Sequence, residues 1–296
     1  MRQIIKKLLL LPLFLLNIVG SIYGYFLGII NKNLKYIWME KQIIINNKRT
    51  QEVVHLLDGG QNLILNFFIP NWICKFRADT FSSKEPETIK WIDDNGDDGV
   101  LFDIGANIGI YSIYFAKTKE NNVYAFEPSF FNLSLLAKNI YNNGVQEKIR
   151  IITNPLSNTK QFANFNLTNI DEGGALSAFG VNFDQDGNKL EKLLSYKTLG
   201  LTLDFLLVEK ILPEVPKMIK IDVDGIEHLI LLGAKETLKN PICKTVLIEI
   251  NEKFEEQASE SRKILTECGF FLKDKYHAVD ETFNQIWFKD WDVGIK

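Results

Sequence analysis

The stretch VLFDIGANIGIYS, residues 100–112, decides how the rest of the chain is interpreted. Its first half is apolar and predicts a buried strand, and its second half begins a helix after a glycine-containing turn. Asp103 ends the strand, Gly105 permits the sharp turn, and Gly109 permits close packing where the helix begins. The stretch is typical of the first strand–turn–helix unit of an open α/β sheet, where ligands bind beyond the carboxyl ends of the strands.

Strands and helices alternate after this unit. Further strands are predicted in NVYAFEP (122–128), KIRIITN (148–154), PKMIKIDVDG (216–225) and CKTVLIEIN (243–251). Helical segments separate most of them, which predicts right-handed βαβ units. The last two segments, FFLKDKYHAV and FNQIWFK, predict a closing antiparallel pair. The fold class is therefore α/β, with a mostly parallel sheet of Rossmann-like type and an antiparallel C-terminal strand pair.

Composition disfavours several classes of protein. The 296 residues suffice for one large α/β domain and further segments, and a net charge of −3 gives no basic field for nucleic acid. The cysteines Cys74, Cys243 and Cys268 are odd in number and widely spaced, which is typical of free thiols in a reducing compartment. Neither they nor the histidines have zinc-site spacing, so a zinc site is not predicted.

The N-terminus departs from this pattern. Residues 8–30 carry no charge and are long enough to cross a bilayer, so residues 1–35 are predicted to be a hydrophobic membrane-anchor helix. Gly20, Gly24 and Gly28 share one helix face, as in closely packed membrane helices. Two alternatives stay open: a helix that lies on a membrane surface or caps the domain, and a cleaved signal peptide.

The remaining chain is divided into two parts. Residues 36–84 are predicted to be a strand-rich extension, with a hairpin at residues 42–49, and residues 85–296 to be the main domain. Within the main domain, the polar section 171–200 contains glycines and emerges near the ligand edge of the sheet. It is predicted to shape a ligand pocket, with a disordered insertion as the alternative.

A second acidic residue suggests the ligand. Glu127 ends the strand that follows Asp103, at the position where a carboxylate can accept both hydroxyls of a ribose. Asp103 beside the first turn would repel a pyrophosphate but would suit an amine. The glycine spacing differs from the G-x-G-x-x-G fingerprint of dinucleotide sites, and no P-loop is present in the sequence. A nucleoside joined to an amino acid, as in S-adenosylmethionine, fits this pair of carboxylates.

Five motifs resemble the FkbM-type methyltransferases. In chain order they are FDIGANIGIYS, AFEPS, TLDFLL, IKIDVDGIEHLILLGA and VLIEIN, and the resemblance covers residues 85–289. It implies a class I, S-adenosylmethionine-dependent enzyme of the kind that O-methylates sugars and other small hydroxyl compounds. Asp224 stands where the family usually shows glutamate, a change that keeps the charge.

The resemblance also implies a role for each motif residue toward the cofactor. The methionine end would be lined by Asp103, Gly105, Asn107 and Gly109. Glu127 would hold the ribose, and the turn after the third strand would pass the adenine, with Ser157 and Asn158 as the candidate contacts.

The fourth-strand motif is expected at the reaction centre. Asp222, Asp224 and Glu227 are the candidate catalytic residues, because methyl transfer to oxygen usually requires removal of the hydroxyl proton. Acidic residues also favour the first turn of a helix without any catalytic role, and that alternative stays open. His228 follows them and is predicted to be a surface histidine.

The sequence thus predicts an O-methyltransferase that acts on a hydroxyl of a saccharide or another small molecule. Lipid-linked acceptors are included in this prediction. The catalytic domain is expected to be membrane-associated and to face the cytoplasm, where the cofactor is made. A minority hypothesis places Mg²⁺ on Asp222 with Glu249 or Asn251. The rival interpretations are a non-catalytic, membrane-tethered scaffold of this fold and a nicotinamide-dependent oxidoreductase, which the glycine spacing disfavours.

Overall fold

The computed structural model describes the backbone of residues 2–47 and 49–289, and the side chains of residues 15–41, 49–278 and 280–289. The helices of this part are α1 (Arg2–Ile30), α2 (Lys32–Asn47), α3 (Trp72–Asp79), α4 (Pro86–Asn95), α5 (Ile110–Thr118), α6 (Phe130–Asn142), α7 (Leu203–Val208), α8 (Glu227–Leu232), α9 (Lys235–Lys239) and α10 (Glu255–Glu267). The strands are β1 (Thr50–Leu56), β2 (Asn62–Phe68), β3 (Leu101–Ile104), β4 (Val123–Phe126), β5 (Ile149–Ile152), β6 (Gln161–Leu167), β7 (Ser177–Phe179), β8 (Leu194–Gly200), β9 (Met218–Ile221), β10 (Thr245–Asn251), β11 (Phe271–Val279) and β12 (Thr282–Phe288).

The chain divides into two compact units, one up to Arg49 and one from Thr50. In the first unit, α1 and α2 pack together, and the Cβ that a substitution would add at Gly24 lies 2.7 Å from the Trp38 ring. The hairpin predicted at residues 42–49 is wrong. The asparagine pair that suggested a turn instead ends α2, because asparagine also suits a helix terminus.

The predicted membrane segment, residues 8–30, lies within α1, but the side chains of residues 8–14 are outside the described part. Among the helices that the structure describes, none is both long enough and apolar enough to span a bilayer. The functional boundaries predicted after residues 35 and 84 stay predictions, since compactness alone assigns no function to either unit.

The main sheet has the order β11-β12-β10-β9-β3-β4-β5. Its strands from β10 to β5 are parallel, whereas β12 is antiparallel to both β10 and β11. This confirms the mostly parallel sheet with an antiparallel C-terminal pair. The chain proceeds from β3 to one side through β4 and β5, and then to the other side through β9 and β10. The order therefore reverses between β3 and β9, and a ligand crevice is expected at that point.

Alternation along the strands separates two cores. On β3, Phe102 and Ile104 join the core on one face of the sheet, and Leu101 joins the core on the other. Because successive side chains point to opposite faces, Asp103 lies on the same face as Leu101. On β9 the same rule places Lys220 on that face, and the register pairs Lys220 directly with Asp103. The buried side chains of Asp103 and Lys220 therefore lie on neighbouring strands and on the same face of the sheet.

The section between β5 and α7 folds into a separate three-stranded antiparallel sheet of order β7-β6-β8. Phe165, Leu167 and Phe179 from this sheet are buried in the main hydrophobic core. The burial of these side chains ties the small sheet to the domain, so the section is a folded insertion and not a disordered one.

The residues before β3 form a scaffold that leads to the ligand edge. β1 and β2 make an antiparallel hairpin, and the amide of Phe68 donates to Asn139 Oδ1 on α6 at 2.8 Å. Next comes α3, whose N-cap is Asn71; its side chain accepts from the amide of Cys74. Buried Trp91 on α4 then anchors the segment by donating to Thr245 Oγ1 at 2.9 Å. These contacts hold α3 next to the carboxyl ends of the strands.

Candidate functional site

A cavity of about 270 Å³ opens where the strand order reverses. Its floor is formed by the turns that follow β3, β4, β5 and β9, and its other side by α3, the segment after it, and the end of β6 with the chain that follows. The polar side chains at its wall are Arg77, Thr80, Lys84, Glu85, Asn107, Tyr111, Glu127, Asn132, Asn154, Ser177, Gln185, Lys220, Asp222, Asp224 and Glu249.

The turn after β3 brings two strand ends into contact. Gly105 has a φ of +87°, and a Cβ at this position would lie 1.8 Å from the carbonyl oxygen of Asp222. No other residue fits there, because the backbone of the neighbouring turn occupies the space. Gly105 lines the cavity, whereas Gly109 lies behind it and packs closely against Leu136. Asn107 also lines the cavity and has a φ of +51°.

Glu127 is the central carboxylate on this side of the cavity. It is buried, and it accepts from the amides of Asn107 at 2.9 Å and Ser129 at 2.8 Å. Burial raises the pKa of Glu127 to about 7, although these hydrogen bonds oppose the rise. A carboxyl group near its midpoint at neutral pH, with its position fixed by two amides, is well placed to accept hydrogen bonds from a ligand.

Asp103 does not reach the cavity. It lies under α5, where Ser112 Oγ donates to Asp103 Oδ2 at 2.5 Å, and its other oxygen has no partner. Burial raises the pKa of Asp103 above its usual value, and Lys220 opposes that rise. Strand alternation explains this position. Asp103 lies within β3, two residues before Gly105, so its side chain points to one face of the sheet and not toward the cavity.

Lys220 is buried at the cavity wall and forms an ion pair with the partly exposed Asp222. Lys220 Nζ lies 2.7 Å from Asp222 Oδ2, and the Asp222 side chain is 33% exposed. Burial alone would raise the pKa of Asp222, but the Lys220 ammonium outweighs it and lowers that pKa. Lys220 also lies 5.2 Å from the centre of the Tyr111 ring. Asp222 is therefore held as a carboxylate facing the cavity.

Asp224 lines the cavity two residues further on. Its Oδ2 accepts from the amides of Leu176 at 2.7 Å and Ser177 at 3.4 Å, so it links the β9 turn to the insertion. Burial, and next the charge of Asp222, raise the pKa of Asp224 to about 6. The φ of Asp224 is +61°, a conformation costly for a residue other than glycine.

Glu227 lies outside the main cavity. It is buried and accepts from the amides of Val223 and Gly225 and from Gln257 Nε2. Burial raises the pKa of Glu227 to about 7. Through these hydrogen bonds, Glu227 stabilises the turn that carries Asp222 and Asp224. His228 was predicted to be at the surface, but it is buried, and that prediction is wrong because α8 packs this face against α10.

The residues predicted to contact adenine lie beside the cavity. Ser157 is buried, and its amide donates to Leu201 O at 2.9 Å; neither it nor Asn158 lines the wall. The wall at this end is made by the three preceding residues, Asn154, Pro155 and Leu156. The predicted turn borders the cavity, but the residues at the wall precede Ser157 and Asn158 by about three positions.

One segment on the opposite wall belongs to the section 171–200, which was predicted to shape a ligand pocket, but its individual residues were not predicted. Residues 172–177, here called the strap, lead from the chain after β6 into the first residue of β7, and residues 174–177 line the cavity. Asn71 Nδ2, Cys74 Sγ and Arg77 Nε, all from α3 and its cap, donate to the carbonyl groups of Glu172 or Gly173. Asn107 Nδ2 and Asn132 Nδ2 donate to Gly174 O. Each α3 donor lies three residues after the previous one on the helix surface, but nothing in the sequence indicated their acceptors about 100 residues away.

The Mg²⁺ hypothesis finds no suitable ligand set. Across the described residues, no three His, Cys, Asp or Glu side chains are grouped to hold a metal ion. Asn251 Nδ2 is already bonded to Gln185 O and Asp186 Oδ1, and its Oδ1 accepts from the amide of Lys253. Burial, and then Asp222, raise the pKa of Glu249 well above its usual value, which disfavours the charged form that a cation needs.

Comparison with known proteins identifies the family of the segment that carries most of the cavity. The family model described as the methyltransferase FkbM domain matches residues 103–272. A comparison with curated proteins gives no match. Among solved structures, an FkbM methyltransferase from Methylobacillus flagellatus KT is 16% identical, with 65% of this chain aligned to 44% of that one at a TM-score of 0.43. The aligned part is therefore less than half of that relative.

Two further solved structures are similar at the same level. A magnesium protoporphyrin IX methyltransferase from Synechocystis PCC 6803, solved with bound SAM, is 12% identical over 74% of this chain and 85% of that one, with a TM-score of 0.44. An rRNA methylase from Streptococcus thermophilus is 12% identical over 69% and 94%, with a TM-score of 0.43.

Proposed function

Because the chain belongs to the FkbM methyltransferase family, we propose that it is an S-adenosylmethionine-dependent O-methyltransferase. Its acceptor is a hydroxyl of a saccharide or another small molecule, including a lipid-linked one. The observation that carries the proposal is Glu127, a buried carboxylate in a cavity at the point where the strand order reverses. A carboxylate at the end of the second strand is the group that accepts ribose hydroxyls in folds of this kind.

The cavity residues fit the cofactor. Asn107 Oδ1 is buried and has no partner, so it is available to accept from the methionine ammonium group. Glu127 would accept from the ribose hydroxyls, and Pro155 and Leu156 provide an apolar wall for the adenine. When bound, S-adenosylmethionine supplies a methyl group activated on a sulfonium.

Asp222 and Asp224 serve the acceptor. The acceptor hydroxyl must be aligned with the methyl group and must lose its proton. Asp222, kept ionised by Lys220, would hold the hydroxyl through a hydrogen bond. Asp224, with a pKa raised to about 6 by burial and Asp222, is better matched to accept the proton near neutral pH. Glu227 acts through these two, because it braces the turn that carries them.

The experiment is an assay of S-adenosylhomocysteine formation from S-adenosylmethionine, with a panel of neutral, acidic and lipid-linked saccharides. We expect release above background with at least one of them, and loss of most of it in Asp222→Asn. In Asp224→Asn, the rise of kcat/KM with pH near pH 6 should disappear. A folded protein that binds no S-adenosylhomocysteine would favour a scaffold, and one that binds NAD instead would favour an oxidoreductase.

Membrane association is the second part of the proposal. Apolar side chains on α1, such as Leu16, Tyr25 and Ile30, are exposed and would be covered by lipid. The catalytic unit would face the cytoplasm, where the cofactor is available. Co-flotation with lipid vesicles should be lost when residues 8–30 are removed. Digestion of the catalytic unit by a protease added outside intact cells would refute the orientation.

A further inference from the structure

Arg77 is a cation at the cavity wall without a carboxylate partner among the described residues. It lies in the last turn of α3, and its Nε donates to Gly173 O at 2.9 Å. Within the described part of the chain, its two Nη atoms make no hydrogen bond or ion pair with any protein group. The other cations at this wall differ: Lys84 is 2.6 Å from Glu85, and Lys220 is 2.7 Å from Asp222.

The position of Arg77 is set by contacts on both sides. Asn71 and Cys74, on the same face of the helix, bond to Glu172 O at 2.8 and 3.2 Å. Gly173 has a φ of +78°, and a Cβ there would lie 2.8 Å from Cys74 Sγ, so α3 and the strap approach as closely as they can. With its Nε already bonded, the guanidinium plane has a fixed orientation, and both Nη atoms, with four N–H groups, remain for a ligand.

The carboxylates in the field of Arg77 already have other partners, which leaves its Nη atoms to an anion from outside the chain. Its field reaches Asp222 and Asp224 and contributes to lowering the pKa of each, although burial and other charges have larger effects. Asp222 is paired with Lys220, and Asp224 accepts from the strap amides. A fixed fork of two N–H donors matches the two oxygens of a carboxylate.

We propose that Arg77 binds a carboxylate of a ligand that occupies this cavity. The inference rests on the proposed function, which supplies two sources of that group: the amino-acid carboxylate of the cofactor, and an acidic saccharide acceptor. Arg77 lies outside the matched family domain, which begins at residue 103, so the binding group is contributed by the preceding extension. In either case, α3 supplies ligand specificity and does more than support the sheet.

The test uses two ligand pairs that differ in a carboxylate. Calorimetric affinities of the full chain are measured for S-adenosylhomocysteine and 5′-methylthioadenosine, and for glucuronate and glucose at saturating S-adenosylhomocysteine. In Arg77→Met, one carboxylate-bearing ligand should bind about tenfold more weakly or worse, while its partner is unchanged. Lys75→Met is the matched control, because it removes a cation from the exposed side of the same helix.

Each outcome decides the proposal. Selective loss with S-adenosylhomocysteine identifies the cofactor carboxylate, and selective loss with glucuronate identifies the acceptor. If no carboxylate-bearing ligand loses affinity selectively, the proposal is wrong. Arg77→Lys, which keeps the charge but not the fork, should give an intermediate loss, and it decides the same question if Arg77→Met does not fold. Failure of the folded wild type to bind S-adenosylhomocysteine would instead refute the proposed function.

Discussion

The two walls of the cavity are built in different ways. The wall at the ends of β3 and β4 comes from one stretch, and its groups bond to one another: Glu127 accepts from the amides of Asn107 and Ser129. The opposite wall joins distant parts, since Asn71 bonds to Glu172 and Asp224 bonds to Leu176. The first wall can be specified by local sequence, whereas the second exists only after the chain has folded. We propose that Glu127 on the first wall holds the cofactor ribose and that Asp222 and Asp224 on the second wall hold the acceptor hydroxyl.

The largest expected effect is at Gly105, where the β3 and β9 turns meet. Gly105→Ala would place a methyl group against the Asp222 carbonyl group and force a strained φ on alanine. We expect a loss of unfolding free energy on the order of 4 kcal/mol or more. Gly144→Ala is the control, because its φ is +70° but nothing lies within 4 Å of the added Cβ. It should cost about 1 kcal/mol in the same denaturant titration.

The next largest effect is expected at the ion pair between Lys220 and Asp222. Lys220→Met would leave Asp103 and Asp222 near each other without a cation, so we expect a loss of about 3 kcal/mol. Adding Asp222→Asn should recover part of that loss, because it removes one of the two stranded charges. Equal stability of the single and double variants would show that the pair is not coupled.

A smaller effect is expected in the pH dependence of cofactor binding. Glu127 must be ionised to accept from both ribose hydroxyls, and its pKa is raised by burial to about 7. The affinity for S-adenosylhomocysteine should therefore fall as the pH drops below 7, approaching tenfold per pH unit. Glu127→Gln should bind more weakly and show a flat profile between pH 6 and 8. A slope that persists in this variant would assign the titration to another group.

The smallest effect is expected at Glu227, which braces the second wall from behind. Burial raises its pKa from 4.5 to about 7, so the folded state binds the proton more tightly than the unfolded state does. Its contribution therefore lowers stability as the pH rises from about 4.5 through 7. Glu227→Gln should cost about 1 kcal/mol at pH 6 and less at pH 8. A cost that grows with pH would contradict this sign.

The first wall was largely predictable from the sequence, and the incorrect predictions for it concern single residues. The positions of Gly105, Asn107 and Glu127 follow from a strand end, a turn and the next strand end. The sequence motif predicts Asp103 in the cavity, whereas alternation along β3 places its side chain beneath α5. Ser157 and Asn158 are predicted to line the pocket, whereas the wall is formed by residues 154–156, since turn length is poorly encoded in a short polar segment.

The second wall was not predictable in the same way. The strap was recognised only as part of a section rich in glycine and polar residues, because its backbone partners lie on α3 and α6. No role is predicted for Arg77 or Lys84 from the sequence, since a single cation in an amphipathic segment is ordinarily solvated. Non-local contacts carry no periodic signal, so only the structure assigns these residues to the cavity.

The central claim is that the first wall binds S-adenosylmethionine, and calorimetric titration of that compound into the full chain tests it most directly. The prediction is saturable binding at one site, weakened at least about tenfold in Glu127→Ala and unchanged in Lys75→Met. A folded wild-type protein that gives no binding, or a Glu127→Ala variant that binds as tightly as the wild type, would contradict it.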